Sequence, residues 1–127
     1  MKFAKTVFTL AGLYGLLILP LGYFGEAGIG RDFPPAVTHP EYYYAFLGVG
    51  IAWQIAFLIL GRDPARYRAF MLPALVEKGS ASLAVTVLFA QGRLAKPLFL
   101  LWSLDWIWLF LFLAAYLRTG GDQTTSR

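Results

Sequence analysis

The sequence predicts an all-α polytopic membrane protein: one domain over residues 1–127, built as a bundle of four transmembrane helices with both termini in the cytoplasm. Three observations carry that expectation. Hydrophobic residues make up 58% of the chain and charged residues 14%, against roughly 45–50% and about 25% in an average soluble domain. A soluble globule of this size has too little interior to hide so many Leu, Phe and Trp side chains. The apolar residues also gather into four runs, about 7–24, 43–60, 69–90 and 97–117, each close to the roughly 20 residues that a helix needs to cross a bilayer. None of the runs alternates as a barrel strand would, so helices must satisfy the backbone. Finally, the positive charges are lopsided. Lys2, Lys5, Arg62, Arg66, Arg68, Arg118 and Arg127 fall on one side of such a bundle, and Arg31, Arg93 and Lys96 on the other. The basic side is the cytoplasmic one.

Taken in order, the first run follows Lys2 and Lys5 and has the flank of a signal peptide. Its apolar stretch is longer than the ~7–15 residues of a signal core, and Gly25-Glu26-Ala27-Gly28 is a poor cleavage site, so an uncleaved helix is expected. The 25–41 connection is the longest. Its Gly25, Gly28 and Gly30 do not match a phosphate-loop spacing and follow no strand, which leaves a turn at the membrane surface. Thr38-His39-Pro40-Glu41 fits a capping box that opens the second helix. Asp63-Pro64 reads as the N-cap and first residue of the third helix, which would begin in the cytoplasmic loop. Lys96-Pro97 starts the fourth, Gly120-Gly121 ends it, and 122–127 is a short polar tail expected to be mobile.

Composition closes several functional classes. With no cysteine and a single histidine, His39, disulfides, thiolate metal sites, bis-histidine haem and multi-histidine zinc sites are impossible within the chain. No cofactor or metal is expected. The basic run Arg62-Asp63-Pro64-Ala65-Arg66-Tyr67-Arg68 is too short for nucleic-acid binding and suits topology and anionic lipid. His39, Glu41 and the tyrosines Tyr42, Tyr43 and Tyr44 form an interfacial belt at the opposite mouth.

The informative residues are the polar ones inside the apolar runs: Gln54 in the second, Glu77 and Lys78 in the third, Asp105 in the fourth. An ionisable group at the centre of a span costs roughly 2.5–3.5 kcal/mol on insertion scales, so it turns to the bundle interior, pairs, or lines a polar path. Counted from opposite edges at ~1.5 Å per residue, Lys78 and Asp105 reach similar depths and are expected to pair. Gln54 falls near the level of Glu77. Ala74, Lys78, Ser82, Thr86 and Ala90 make a small, polar stripe at four-residue spacing. Gly48, Ala52 and Ala56 make a matching stripe on the second helix, and such stripes let membrane helices approach closely.

Two readings of the charges stand side by side. In one, Lys78–Asp105 is a structural pair, and Glu77 stays protonated because an apolar surrounding disfavours its charged form. In the other, Glu77 and Asp105 bind or protonate a ligand. Trp102 and Trp106 flank Asp105 at helical spacing, so Glu77, Asp105, Trp102, Trp106 and Gln54 are the candidate ligand-binding set. Tryptophan also favours interfaces and helix contacts, which explains the same residues without a ligand.

In length and helix count the chain resembles small bacterial four-helix inner-membrane proteins grouped near the DoxX-like families. His39-Pro40-Glu41-Tyr42, Asp63-Pro64-Ala65-Arg66-Tyr67 and Glu77-Lys78 look like landmarks of such a protein. The resemblance implies a bacterial inner-membrane location and no established activity. Small multidrug resistance transporters are similar in size but carry an essential carboxylate in their first helix, and here the first run has none. Enzymes of the sterol-isomerase group also surround an apolar ligand with buried acids and tryptophans, but no motif aligns well enough to transfer a role. The functional expectation is a non-catalytic membrane protein, either a module that binds an apolar small molecule or an accessory subunit of a larger complex or homo-oligomer. A proton-coupled carrier and an isomerase acting on a lipid or isoprenoid are the alternatives.

Overall fold

A computed structural model describes residues 2–125, and among them every regular element is a helix. Four segments, Lys2–Phe24, Pro40–Arg62, Arg68–Ala90 and Lys96–Gly120, are long and apolar enough to cross a membrane. By composition, that is a multi-pass membrane protein.

Helix α1 spans Lys2–Ile18 and continues as a 3-10 segment over Leu19–Phe24. The change of winding has a cause in the sequence. Pro20 offers no N–H and crowds the carbonyl of Leu16, so the α-pattern stops just before it and a tighter one follows. The loop expected over 25–41 contains a short helix, α2, at Glu26–Asp32. Glu26 stands in the first turn and Arg31 in the last, the charge order that the helix dipole favours, and Asp32 at the end pairs with Arg31 at 3.2 Å.

Helix α3 spans Pro40–Arg62, with His39 as its N-cap and no side-chain cap. The Thr38 capping box does not form. Pro40 takes the first helical position, where its missing N–H is harmless. That moves the start one residue past the expected one, and the Glu41 carboxylate lies 3.3 Å from the His39 imidazole instead. After Arg62, Asp63 closes a single turn: its carboxylate accepts the Arg66 N–H at 3.2 Å and its carbonyl the Tyr67 N–H at 3.1 Å. A 3-10 segment, Arg68–Phe70, then leads into α4 at Met71–Ala90. So Asp63-Pro64 opens a separate turn and not the third spanning helix. Pro73 explains the restart. In a helix running on from Pro64 it would lie in the interior, whereas from Met71 it lies in the first turn, where no N–H is needed.

Helix α4 ends in a Schellman motif that the sequence reading did not anticipate. Gly92 adopts φ +73°, its N–H bonds to Phe89 O at 3.0 Å, and the Arg93 N–H reaches Leu88 O at 2.9 Å. Only glycine takes that left-handed position without a steric penalty. Helix α5, Lys96–Trp102, begins at Lys96-Pro97 as expected, but the fourth run is broken at Ser103 and resumes as α6, Leu104–Thr125. At the far end α6 runs through Gly120 and Gly121, so the expected stop there is overturned. Glycine weakens a helix by about 1 kcal/mol against alanine but does not forbid one. Ser126 and Arg127, the end of the expected mobile tail, lie outside the described residues.

The core sits toward the charged-termini end, where Phe8 of α1, Phe57 of α3 and Phe112 of α6 meet. The Phe8 and Phe112 ring centres lie 4.4 Å apart and those of Phe57 and Phe112 5.0 Å apart, with Met71 and Ala74 of α4 closing the layer. Helices α1 and α3 pack closely through glycines. A Cβ at Gly12 would come within 2.7 Å of the Gln54 backbone oxygen, one at Gly61 within 3.1 Å of the Thr9 nitrogen, and one at Gly15 would overlap the Gln54 carboxamide. Small residues allow this approach. The stripe expected on α3 is therefore the wrong face: Gly48 and Ala52 are exposed, and Gly50, Gln54, Phe57 and Gly61 are buried. On α4 the expected stripe is the packed face through Ala74, Lys78 and Ser82, but Ala90 at its end is exposed.

One end of the bundle collects Lys2, Lys5, Arg62, Arg66, Arg68 and Arg118. The Arg118 guanidinium lies 4.4 Å from the Phe3 ring centre. Arg68 donates twice to the Tyr116 carbonyl, at 3.0 and 3.3 Å, and lies 3.8 Å from the centre of that residue's ring. At the other end, Tyr43 donates to Gly22 O and Tyr44 to the Glu26 carboxylate, both at 2.6 Å.

Candidate functional site: a charged layer between α4 and α6

Three ionisable groups meet where α4 faces α6. Lys78 is 5% exposed, and its Nζ lies 3.3 Å from Asp105 Oδ1 and 3.7 Å from Glu77 Oε2. It also lies 5.5 Å from the centre of the Phe57 ring, which brings α3 against the same group. Each side chain owes its place to a local feature. Lys78 belongs to the Ala74–Lys78–Ser82 face that packs on α6. Glu77 is one position round, about 100° away on a helix, so only its end turns back toward the ammonium. Asp105 stands in the first turn of α6, directly after the break at Ser103, where a helix start favours negative charge.

The layer continues along α4 through hydroxyls. Thr86 donates to the Ser82 carbonyl at 2.8 Å and accepts the Trp106 indole N–H at 3.0 Å. Ser82 lies between Lys78 and Thr86 on that face and is fully buried. The Ser82 and Ser103 hydroxyls and Glu77 Oε2 are buried and lack a hydrogen-bond partner among the described residues. Such groups are costly to leave unmatched in an apolar medium; Glu77 and Ser82 stand on α4 and Ser103 at the break before α6, while a fourth, Gln54 Oε1, lies in the α1–α3 seam. Glu77 and Ser82 were legible in the sequence; Ser103 was missed, because a lone serine usually bonds to nearby backbone and carries no signal.

The remaining candidates go elsewhere. Gln54 is 3% exposed, but it is set in the α1–α3 seam, where its Nε2 donates to Gly50 O at 3.0 Å and its body fills the notch at Gly15. Trp106 faces α4 and stacks on Phe110, whereas Trp102 meets Phe46 of α3 edge-on at 5.6 Å. The two indoles thus serve different contacts. Trp108 points toward α1, 5.8 Å from the Tyr14 ring centre. Arg68, read from the sequence as a topological charge, is a clamp across the end of α6. Gly120 leaves room for it, since a Cβ there would come within 2.6 Å of Arg68 Nη2.

Chemically, two carboxylates share one ammonium. With all three ionised the set sums to −1; among the unmatched atoms the carboxylate oxygen only accepts, and the two hydroxyls can accept or donate. No protein-family model, curated protein or solved structure matches this chain. The likeness to DoxX-like proteins therefore remains one of length and helix count.

Proposed function

We propose that this chain is a multi-pass bacterial inner-membrane protein with both termini in the cytoplasm, and that it binds an apolar ligand without catalysing a reaction. The carrying observation is the state of Glu77: a carboxylate oxygen buried beside Lys78 without a hydrogen bond, in a layer where Lys78 already has Asp105. A purely structural pair has no use for that second acid. Its side chain, though not Oε2 itself, is 24% exposed, so a ligand's polar end would approach the carboxyl from the lipid side while an apolar body lies along α4. The collection of six basic residues at one end supports the orientation.

Native mass spectrometry of the mildly solubilised protein tests the reading. An adduct present in wild type and lost in Glu77→Gln is expected. The reading fails if wild type and variant carry the same masses.

A second reading, an accessory subunit of a larger membrane complex, has its own observation. Only 17% and 11% of the third and fourth spanning segments are covered by the rest of the chain, against 28% and 33% of the first and second. A partner helix would seat on α4, α5 and α6. Copurification of a stoichiometric protein that persists in Glu77→Gln would favour it.

A further inference from the structure

We infer that the charged layer between α4 and α6 takes an amphiphile with one cationic, hydrogen-bond-donating head group, a protonated primary amine on an apolar body. This rests on the ligand-binding reading above and adds the chemistry of the head group.

Charge balance is the first argument. Glu77, Lys78 and Asp105 sum to −1 as ions, and an uncompensated charge in an apolar medium is strongly disfavoured, so the excess is met by a proton on Glu77 or by a cation beside it. One positive charge brought by a ligand makes the layer neutral, whereas a carboxylate or phosphate would double the excess. Hydrogen-bonding capacity is the second. Lys78 already supplies the donor to Asp105, while Glu77 Oε2, 3.7 Å from the same ammonium, and two hydroxyl oxygens have no hydrogen bond. Ser82 is fully buried on the face between Lys78 and Thr86, both of which reach α6. An ammonium brings up to three donors to such acceptors, and hydroxyls and carboxylates can accept them. A quaternary ammonium brings the charge without the donors. Access is the third. Glu77 is the most exposed member of the set, its side chain 24% exposed against 16% for Asp105 although Oε2 itself is buried, and Val76 beside it is 67% exposed, so an alkyl chain lying on α4 extends into lipid.

The experiment uses the full-length protein in zwitterionic lipid nanodiscs. It measures saturable binding of four probes with the same chain: dodecylammonium, dodecyltrimethylammonium, dodecanol and dodecanoate. Dodecylammonium is expected to bind in preference to the other three. Glu77→Gln should weaken it by about tenfold or more, the size of one hydrogen bond to a charged group, and Glu41→Gln at the exposed end should leave it unchanged. The wild-type comparison of primary with trimethylated amine decides the question even if Glu77→Gln does not fold. Equal binding of dodecanol and dodecylammonium, with no effect of Glu77→Gln, would overturn the head-group class and leave an apolar-ligand protein standing. Equal binding of the two amines would overturn the donor requirement and with it the proposal. If no probe saturates while wild type carries an adduct lost in Glu77→Gln, the amine class is wrong; if that adduct is absent as well, the ligand-binding reading falls first.

Discussion

The two long seams of this bundle are built on opposite plans. Where α1 meets α3, contact is made by the absence of side chains. Gly12, Gly15 and Gly61 let the backbones close until a single added Cβ would collide, the Thr9 hydroxyl lies against Gly61, and the buried Gln54 side chain fills a notch. Where α4 meets α6, contact is made by charge and hydroxyls, with Lys78 between Asp105 and Glu77 and with the Ser82 and Ser103 hydroxyls unmatched. In lipid, apolar surface gives helices little reason to associate, so close packing and polar pairing are the available means. Each seam keeps an unmatched polar atom, Gln54 Oε1 on the first and Glu77 Oε2 and Ser82 Oγ on the second, but only the second also carries charge. The second is where a ligand has something to bind.

That contrast predicts how each seam breaks, and the largest effect should come from the polar one. Asp105→Ala removes the closer partner of a buried ammonium; losing one member of a buried pair costs up to about 3–5 kcal/mol, with Glu77 at 3.7 Å left to hold part of it. Unfolding of the purified protein in mixed micelles should show a loss of that size, with most of it recovered in the double replacement Lys78→Met with Asp105→Leu. Additive losses in the double variant would mean that the two residues do not act as a pair. On the glycine seam, Gly12→Leu forces α1 away from the Gln54 backbone, and overpacking of this kind costs about 1–3 kcal/mol. The same assay should place it below Asp105→Ala and well above Leu at Gly48. Gly15 is the gentler site, because the obstacle there is a flexible side chain.

These two seams also show what a single sequence can and cannot disclose. The four spanning segments were legible because twenty apolar residues in a row admit few readings in lipid. Lys78 and Asp105 were legible as neighbours because depth is nearly a linear function of residue number in a helix. Facing is harder to read. Gly48-Ala52-Ala56 and Gly50-Gln54-Phe57-Gly61 obey the same periodicity, and composition alone favoured the smaller set. The glycines that decide the matter lie on α1, in another part of the chain. Breaks and caps depended on proline positions read in isolation. Asp63-Pro64 resembles a helix start until Pro73 is included, and Thr38 resembles a cap until Pro40 is. The interruption at Ser103 has no proline or glycine to announce it, and we find no feature of the sequence that requires it.

A smaller effect tests whether the hydroxyl ladder is part of the polar seam or an accident beside it. Thr86→Val keeps the shape and removes the acceptor of the Trp106 indole. Side-chain hydrogen bonds between membrane helices average about 0.6 kcal/mol, so stability should fall by roughly that amount, while the indole N–H resonance of Trp106 moves. An unchanged indole signal would mean that Thr86 and Trp106 do not meet. If the charged layer holds an amine, the same variant should leave dodecylammonium binding near its wild-type strength, because Thr86 is already satisfied through the Ser82 carbonyl.

The least costly change should be the one that composition alone would have ranked among the worst. Gly48 and Ala52 carry the small-residue spacing of a membrane-helix contact, yet both are exposed, and a Cβ at Gly48 would meet only the Tyr23 hydroxyl at 3.7 Å. Gly48→Ala adds no clash and removes backbone freedom from the unfolded chain, so its effect should lie between zero and a gain of about 1 kcal/mol. Thermal unfolding in the same micelles checks it. A loss comparable with that of Gly12→Leu would show that the Gly48 face is covered in the working protein. Because none of the described residues covers it, the accessory-subunit reading would then move its interface from α4, α5 and α6 to α3.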